Sequence, residues 1–168
     1  GYVIGHEITH GFDLSGSQFD ADGNYSSWWT DADRAAFEAL NEEVIAQYSD
    51  IEALPGLMVN GELTIGENVA DMGGLQTAFD AMQADLAAMS DEERAAIPWF
   101  LTQEQRFFVS AATVWRSIST DEWIDYIVAS DEHAPSEIRA VQPARNMDAF
   151  YQAFGITEGD PEYLPPDQ

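Results

Sequence analysis

Cysteine is absent from the 168 residues, and so is lysine; all six basic residues are arginine. Without cysteine there is no disulfide framework, no thiolate nucleophile and no thiolate zinc site, so any metal has to be held by histidine and carboxylates. Without a basic stripe nothing neutralises a run of phosphates, so nucleic acid and anionic membrane surfaces are poor partners, and no nucleic acid partner is expected. Histidine is nearly as scarce, with three copies. No stretch approaches the roughly 18 apolar residues of a membrane span, and no charged-then-apolar signal segment opens the chain. The chain does not begin with Met, and Gly1-Tyr2-Val3 runs straight into a helical pattern without a cap, as expected of a piece cut from a longer protein.

Acid is what the chain has in excess. Asp and Glu number 31 against the six arginines, a formal charge of −25. That balance reads as a solvated shell that keeps the protein soluble, suited to a salty habitat where repulsion is screened. With 45% apolar and 12% aromatic residues the chain is nonetheless no disordered acidic tail. A chain of this length buries roughly 70% of its unfolded surface, enough for one core, so residues 1–168 are expected to form a single domain.

Hydrophobic spacing predicts a mainly α fold with minimal β. Residues 1–12 read as the remainder of a helix, and Asp20-Ala21-Asp22-Gly23-Asn24 as an Asx-type turn, because an EF-hand loop would need glycine where Tyr25 stands. Thr30 caps a helix over about 31–49 with Phe37, Leu40, Val44 and Ile45 on one face. Pro55-Gly56 breaks the chain, Leu57 to Thr64 reads as an extended turn centred on Asn60-Gly61, and a helix begins near Thr64. That helix continues towards Met89 with Gly73-Gly74 as a soft point. Further helices are expected from Ser90, from Thr102, and near 120–129, 135–141 and 146–153, with the Pro-rich end from Pro161 to Gln168 as coil lying on the surface.

His6-Glu7-Ile8-Thr9-His10 is the sharpest chemical signal. Histidines at i and i+4 lie about 40° apart around a helix and about 6 Å along it, so both imidazoles can reach one ion. Glu7 stands beside that face, placed to take a proton from metal-activated water. A hydrolytic zinc needs a third protein ligand and an open position. Asp13 and Gly16 stand where the metzincin extension needs Gly and His, which excludes that class and leaves His133 or a carboxylate. Glu67 and Asp71, four apart on one helix, are the better candidates: one to ligate, the other to accept from the far nitrogen of a ligating imidazole.

His6 to Asp13, then Gly66-Glu67-Asn68-Val69-Ala70-Asp71-Met72-Gly73-Gly74, then Asp131-Glu132-His133-Ala134-Pro135 with Arg139, resemble in the same order the neprilysin and endothelin-converting-enzyme family of zinc metallopeptidases. Trp28-Trp29, Gln105-Arg106-Phe107-Phe108, Trp115, Ala153-Phe154-Gly155 and Gly159-Asp160 match too, so nearly the whole chain is covered. The resemblance implies a zincin-like helical portion that pairs the H-E-x-x-H helix with a glutamate-ligand helix. It implies one zinc per chain on His6, His10 and Glu67, with Asp13 and Asp71 behind the ligands. Glu7 is then the general base, His133 a donor to the developing oxyanion and Arg139 a donor to a substrate backbone carbonyl. The implied activity is endopeptidase cleavage of oligopeptides, in a bacterial-type, secreted or periplasmic member. The family's Asn-Ala-aromatic edge strand and helical roof lie upstream of the H-E-x-x-H helix, and the tail ends short of the family's aromatic terminus. On this reading the chain is the C-terminal zinc-binding portion of a longer metallopeptidase, partnered by the rest of that polypeptide. The alternative is a zinc-stabilised helical module without turnover.

Overall fold

The computed structural model describes residues 1–95 and 100–165. Among these the architecture is mainly α, with one small hairpin. Helices run over Tyr2–Thr9 (α1), Asp31–Ser49 (α2), Gly61–Ala88 (α3), Asp91–Ala95 (α4), Gln103–Val114 (α5), Asp121–Ser130 (α6), Ser136–Arg145 (α7) and Asp148–Phe154 (α8). Strands Glu52–Leu54 (β1) and Leu57–Met58 (β2) pair antiparallel.

Side-chain caps set most of the boundaries that the sequence predicts. The Thr30 hydroxyl accepts from the Asp33 N–H at 3.1 Å and starts α2. Thr102 and Gln105 exchange bonds in a capping box that starts α5, and Thr120 accepts from Trp123 to start α6. Asp20 Oδ1 accepts from the N–H groups of Asp22 and Asn24, the Asx turn expected there.

Three boundaries differ from expectation. The turn lies at Pro55-Gly56 within the β1–β2 hairpin, while Asn60 caps α3 by accepting from the Leu63 N–H at 3.0 Å, so α3 starts three residues early at Gly61. The first helix gives way at His10 to a 3-10 turn through Phe12, and α7 runs on to Arg145 with Pro143 inside it. Residues 161–165 are coil as expected, with the Leu164 N–H held by the Tyr151 hydroxyl, and the remainder of that expected coil lies outside the described residues.

Gly73-Gly74 is no soft point but the place where two helices touch. A Cβ on Gly74 would lie 2.5 Å from the His6 nitrogen and 2.8 Å from the Tyr2 carbonyl oxygen, and one on Gly5 would lie 2.9 Å from the Gly74 Cα. Only glycine permits such backbone approach. It seats α1 directly on α3, and the buried apolar residues form two clusters. Leu75 and Phe79 of α3 pack with Phe108, Ala144 and Met147, while Tyr48, Val59 and Ala134 form the other cluster.

Candidate metal centre

Because α1 lies against the middle of α3, His6 and His10 face Glu67 and Asp71. His6 Nε2 and His10 Nε2 are 3.1 Å apart. The Glu67 carboxylate lies across from the pair, one oxygen to each imidazole, with Oε2 at 3.3 Å from His6 Nε2 and Oε1 at 3.3 Å from His10 Nε2. Zinc–nitrogen bonds of about 2.0–2.1 Å at tetrahedral angles separate donor atoms by about 3.3 Å, and the three side chains bring one donor atom each within 4.8 Å of one another, within reach of one ion. Two imidazoles and one carboxylate are also the donor set such a site takes. The residues present fit the ion.

Each imidazole has a carboxylate behind it. His10 Nδ1 bonds Asp13 Oδ2 at 2.8 Å, and Asp13 is fixed through Oδ1 by the N–H groups of Ser15 and Gly16. Burial opposes protonation of His10, but the bond to Asp13 and the charges of Glu67, Asp13 and Glu7 outweigh it and raise its pKa. His6 Nδ1 stands 2.9 Å from Asp71 Oδ1 yet off the axis of a hydrogen bond, and no other acceptor reaches it. Asp71, 1% exposed, takes Arg139 Nε on Oδ2 at 2.7 Å and Arg139 Nη2 on Oδ1 at 2.9 Å.

Glu67 is the hub of the cluster. Besides the two imidazoles its Oε2 lies 3.0 Å from His133 Nε2 and 3.4 Å from Arg139 Nη2. His133 is aimed from behind, since Asp131 Oδ1 lies 2.7 Å from its Nδ1 and accepts its backbone N–H at 2.9 Å. Those two bonds, the backbone one foremost, hold the Asp131 carboxyl below its ordinary range. The Arg139 guanidinium lies over the Trp115 ring, 3.9 Å from its centroid. Burial works against its charge, but Asp71 more than offsets that and raises its pKa. Val3, His6, Glu7, His133 and Arg139 line a cleft of about 220 Å³. Glu7 is exposed there, free to meet solvent.

All eight residues picked from the sequence are thus gathered into one region. Two further members were not. The Tyr2 hydroxyl donates to Asp71 Oδ1 at 2.7 Å, and the Tyr2 ring meets Trp115 edge-on. Burial, reinforced by Asp71, pushes the Tyr2 phenol up, so it remains a donor. Its spacing of four from His6 was the available signal. Asp131 entered only as part of a quoted motif, with nothing to single it out among so many acids.

Residues 1–168 match the model of peptidase family M13. Neprilysin-1 of Caenorhabditis elegans is 42% identical over 165 residues, which is 96% of this chain and 22% of that protein. The neutral endopeptidase of Lactococcus lactis subsp. lactis (strain IL1403) is 37% identical over 167 residues, 99% of this chain and 24% of its own length. The crystal structure of the Mycobacterium tuberculosis zinc metalloprotease ZMP1 in complex with an inhibitor superposes with a TM-score of 0.90 at 42% identity, covering 98% of this chain and 25% of that one. The chain therefore spans about a quarter of these relatives. A match from first residue to last, with the same fold at that identity, establishes that the chain belongs to peptidase family M13, the neprilysin and endothelin-converting-enzyme family.

Proposed function

We propose that this chain carries the catalytic centre of a zinc-dependent endopeptidase that cuts oligopeptides, with His6, His10 and Glu67 as the ligands of one zinc ion. The observation that carries the reading is the convergence of two imidazoles and one carboxylate at 3.1–3.3 Å, beside a cleft lined by His6, Glu7 and His133. Bound there, zinc supplies Lewis acidity towards the scissile carbonyl and towards water. Glu7 takes the proton of the attacking water and passes it to the departing amine. His133, steadied by Asp131, donates to the oxygen that gains charge as the carbonyl becomes tetrahedral. Arg139 has Nε and Nη2 committed to Asp71, which leaves Nη1 as the arm for a substrate backbone carbonyl. Asp13 orients the His10 imidazole through an aligned bond, and Asp71 stands behind His6.

The proposal includes a place for residues 1–168 as a single zinc-binding domain of a longer polypeptide, at its C-terminal end and in a secreted or periplasmic enzyme; the match to about a quarter of each relative supports the longer polypeptide. A second reading is a zinc-holding module without turnover, since none of the described residues lining the cleft belongs to a strand that could align a peptide. Both readings are tested on the full natural polypeptide that carries this sequence. Bound zinc near one equivalent at this site, lost in Glu67→Ala, is expected on either. Glu7→Gln is expected to keep the metal and lose fluorogenic-peptide cleavage. Zinc without any cleavage in the parent protein would favour the module, and undiminished zinc in Glu67→Ala would remove Glu67 from the ligands.

A further inference from the structure

The two histidines of the cradle are not equally supported from behind. Asp13 spends Oδ1 on two backbone N–H groups and keeps Oδ2 for His10 alone, giving an aligned bond of 2.8 Å. Asp71 is crowded. Its Oδ2 takes Arg139 Nε, and its Oδ1 takes both Arg139 Nη2 at 2.9 Å and the Tyr2 hydroxyl at 2.7 Å. A carboxylate oxygen has about two lone-pair directions, and both of those on Oδ1 are then filled. His6 Nδ1 lies 2.9 Å from the same oxygen without an aligned bond and has no other partner. The two-pronged guanidinium already fixes the carboxylate in place, so the Tyr2 hydroxyl is not needed to orient it. The hydroxyl and His6 Nδ1 instead meet the same oxygen, at 2.7 and 2.9 Å.

We infer that Tyr2 is a tuning residue that competes with His6 for Asp71 and so weakens the hold of this site on zinc. An imidazole whose far N–H donates strongly to a carboxylate is a better metal ligand, because the acceptor raises its basicity and fixes its tautomer. By intercepting Asp71, Tyr2 leaves His6 the poorer donor of the pair. Removal of the hydroxyl frees one direction on Oδ1, and the imidazole already lies close enough to take it. The effect rests on His6 being a zinc ligand, as proposed above.

The test is Tyr2→Phe in the full natural polypeptide, with zinc affinity measured by competition against a chromophoric chelator and the melting temperature measured on the metal-free form. Loss of a complete outer hydrogen bond costs about 10- to 100-fold in metal affinity, so partial restoration of one is expected to tighten zinc about three- to tenfold. The metal-free form is expected to melt lower, since the fold has lost a bond. That opposition of signs is the signature, because a merely structural tyrosine would weaken both. Zinc bound equally or less tightly by Tyr2→Phe overturns the inference. Should Tyr2→Phe fail to fold, Tyr2→Met, which also lacks the hydroxyl, has to show the same tightening. The Glu67→Ala variant separates the two levels: if it retains zinc, the assignment of the site fails, whereas if it loses zinc while Tyr2→Phe is unchanged, only the competition fails.

Discussion

Asp71 carries more than an imidazole. It neutralises a guanidinium that is itself 8% exposed, and it accepts the Tyr2 hydroxyl in the same buried place. Breaking a buried ion pair by removing one partner leaves a charge without compensation and costs about 3–5 kcal/mol. Asp71→Ala is therefore expected to lower the unfolding free energy of the metal-free protein by about that amount, over and above any loss of zinc. Denaturant titration without metal checks this, and a change within about 1 kcal/mol would mean that Arg139 re-pairs with Glu67 at little cost. The reach of the sequence at this scale follows from spacing. His6, Glu7 and His10 were legible because one helical turn fixes their relation, and Glu67 with Asp71 were legible as a second pair at the same interval. That Arg139 sits on Asp71 was not, since the two are 68 positions apart and the six arginines look alike in sequence.

At the scale of elements, the meeting of α1 and α3 decides whether the ligands share one ion. Alanine in place of glycine inside a helix ordinarily stabilises it by about 1 kcal/mol. At Gly74 the added carbon meets the His6 nitrogen at 2.5 Å and the Tyr2 carbonyl oxygen at 2.8 Å, backbone atoms that no rotamer change can move aside. Overpacking of this kind costs about 1–3 kcal/mol or more and wins. Gly74→Ala is expected to lower stability by about 2 kcal/mol and to weaken zinc as well, because the clash pushes His6 away from Glu67. Unchanged zinc affinity in a destabilised Gly74→Ala protein would show that the helices part without disturbing the cradle. A second expectation concerns the start of α5. The backbone N–H at its own position, followed by Gln83 and Thr102, holds the Glu104 carboxyl below the ordinary 4.5. A carboxylate with a depressed folded pKa contributes stability above its unfolded value, and that stability is lost as pH falls through the folded one. Glu104→Gln is accordingly expected to melt below the parent chain at pH 7 and level with it once the pH is well under 4.5, and a gap that persists in acid would assign the effect to packing. Thr30 and Thr102 made their helices legible because a cap is a local signal. Pro55-Gly56 and Asn60-Gly61 were both turn-like in sequence, and only the closing of β1 on β2 chose between them. Gly73-Gly74 was misjudged for the same reason, because what a glycine admits depends on the partner helix and not on its own.

For the molecule as a whole, charge and exposed apolar surface act against each other. On the side of α1 away from His6, Ile4 is 67% and Ile8 63% exposed, one helical turn apart. Exposed aliphatic side chains of this kind favour association by burial. The net charge of −25 holds like molecules apart. Their balance depends on salt, since the screening length falls from about 10 Å at 0.1 M to about 3 Å at 1 M while burial of aliphatic surface is not screened. The 168-residue polypeptide produced by itself is therefore expected to sediment as a monomer in dilute salt and to associate as salt approaches 1 M. Ile4→Glu with Ile8→Glu is expected to abolish that association while leaving zinc bound, because both side chains point away from Glu67. Association that weakens with salt would assign the contact to ion pairs, and association that survives the double substitution would move it off α1.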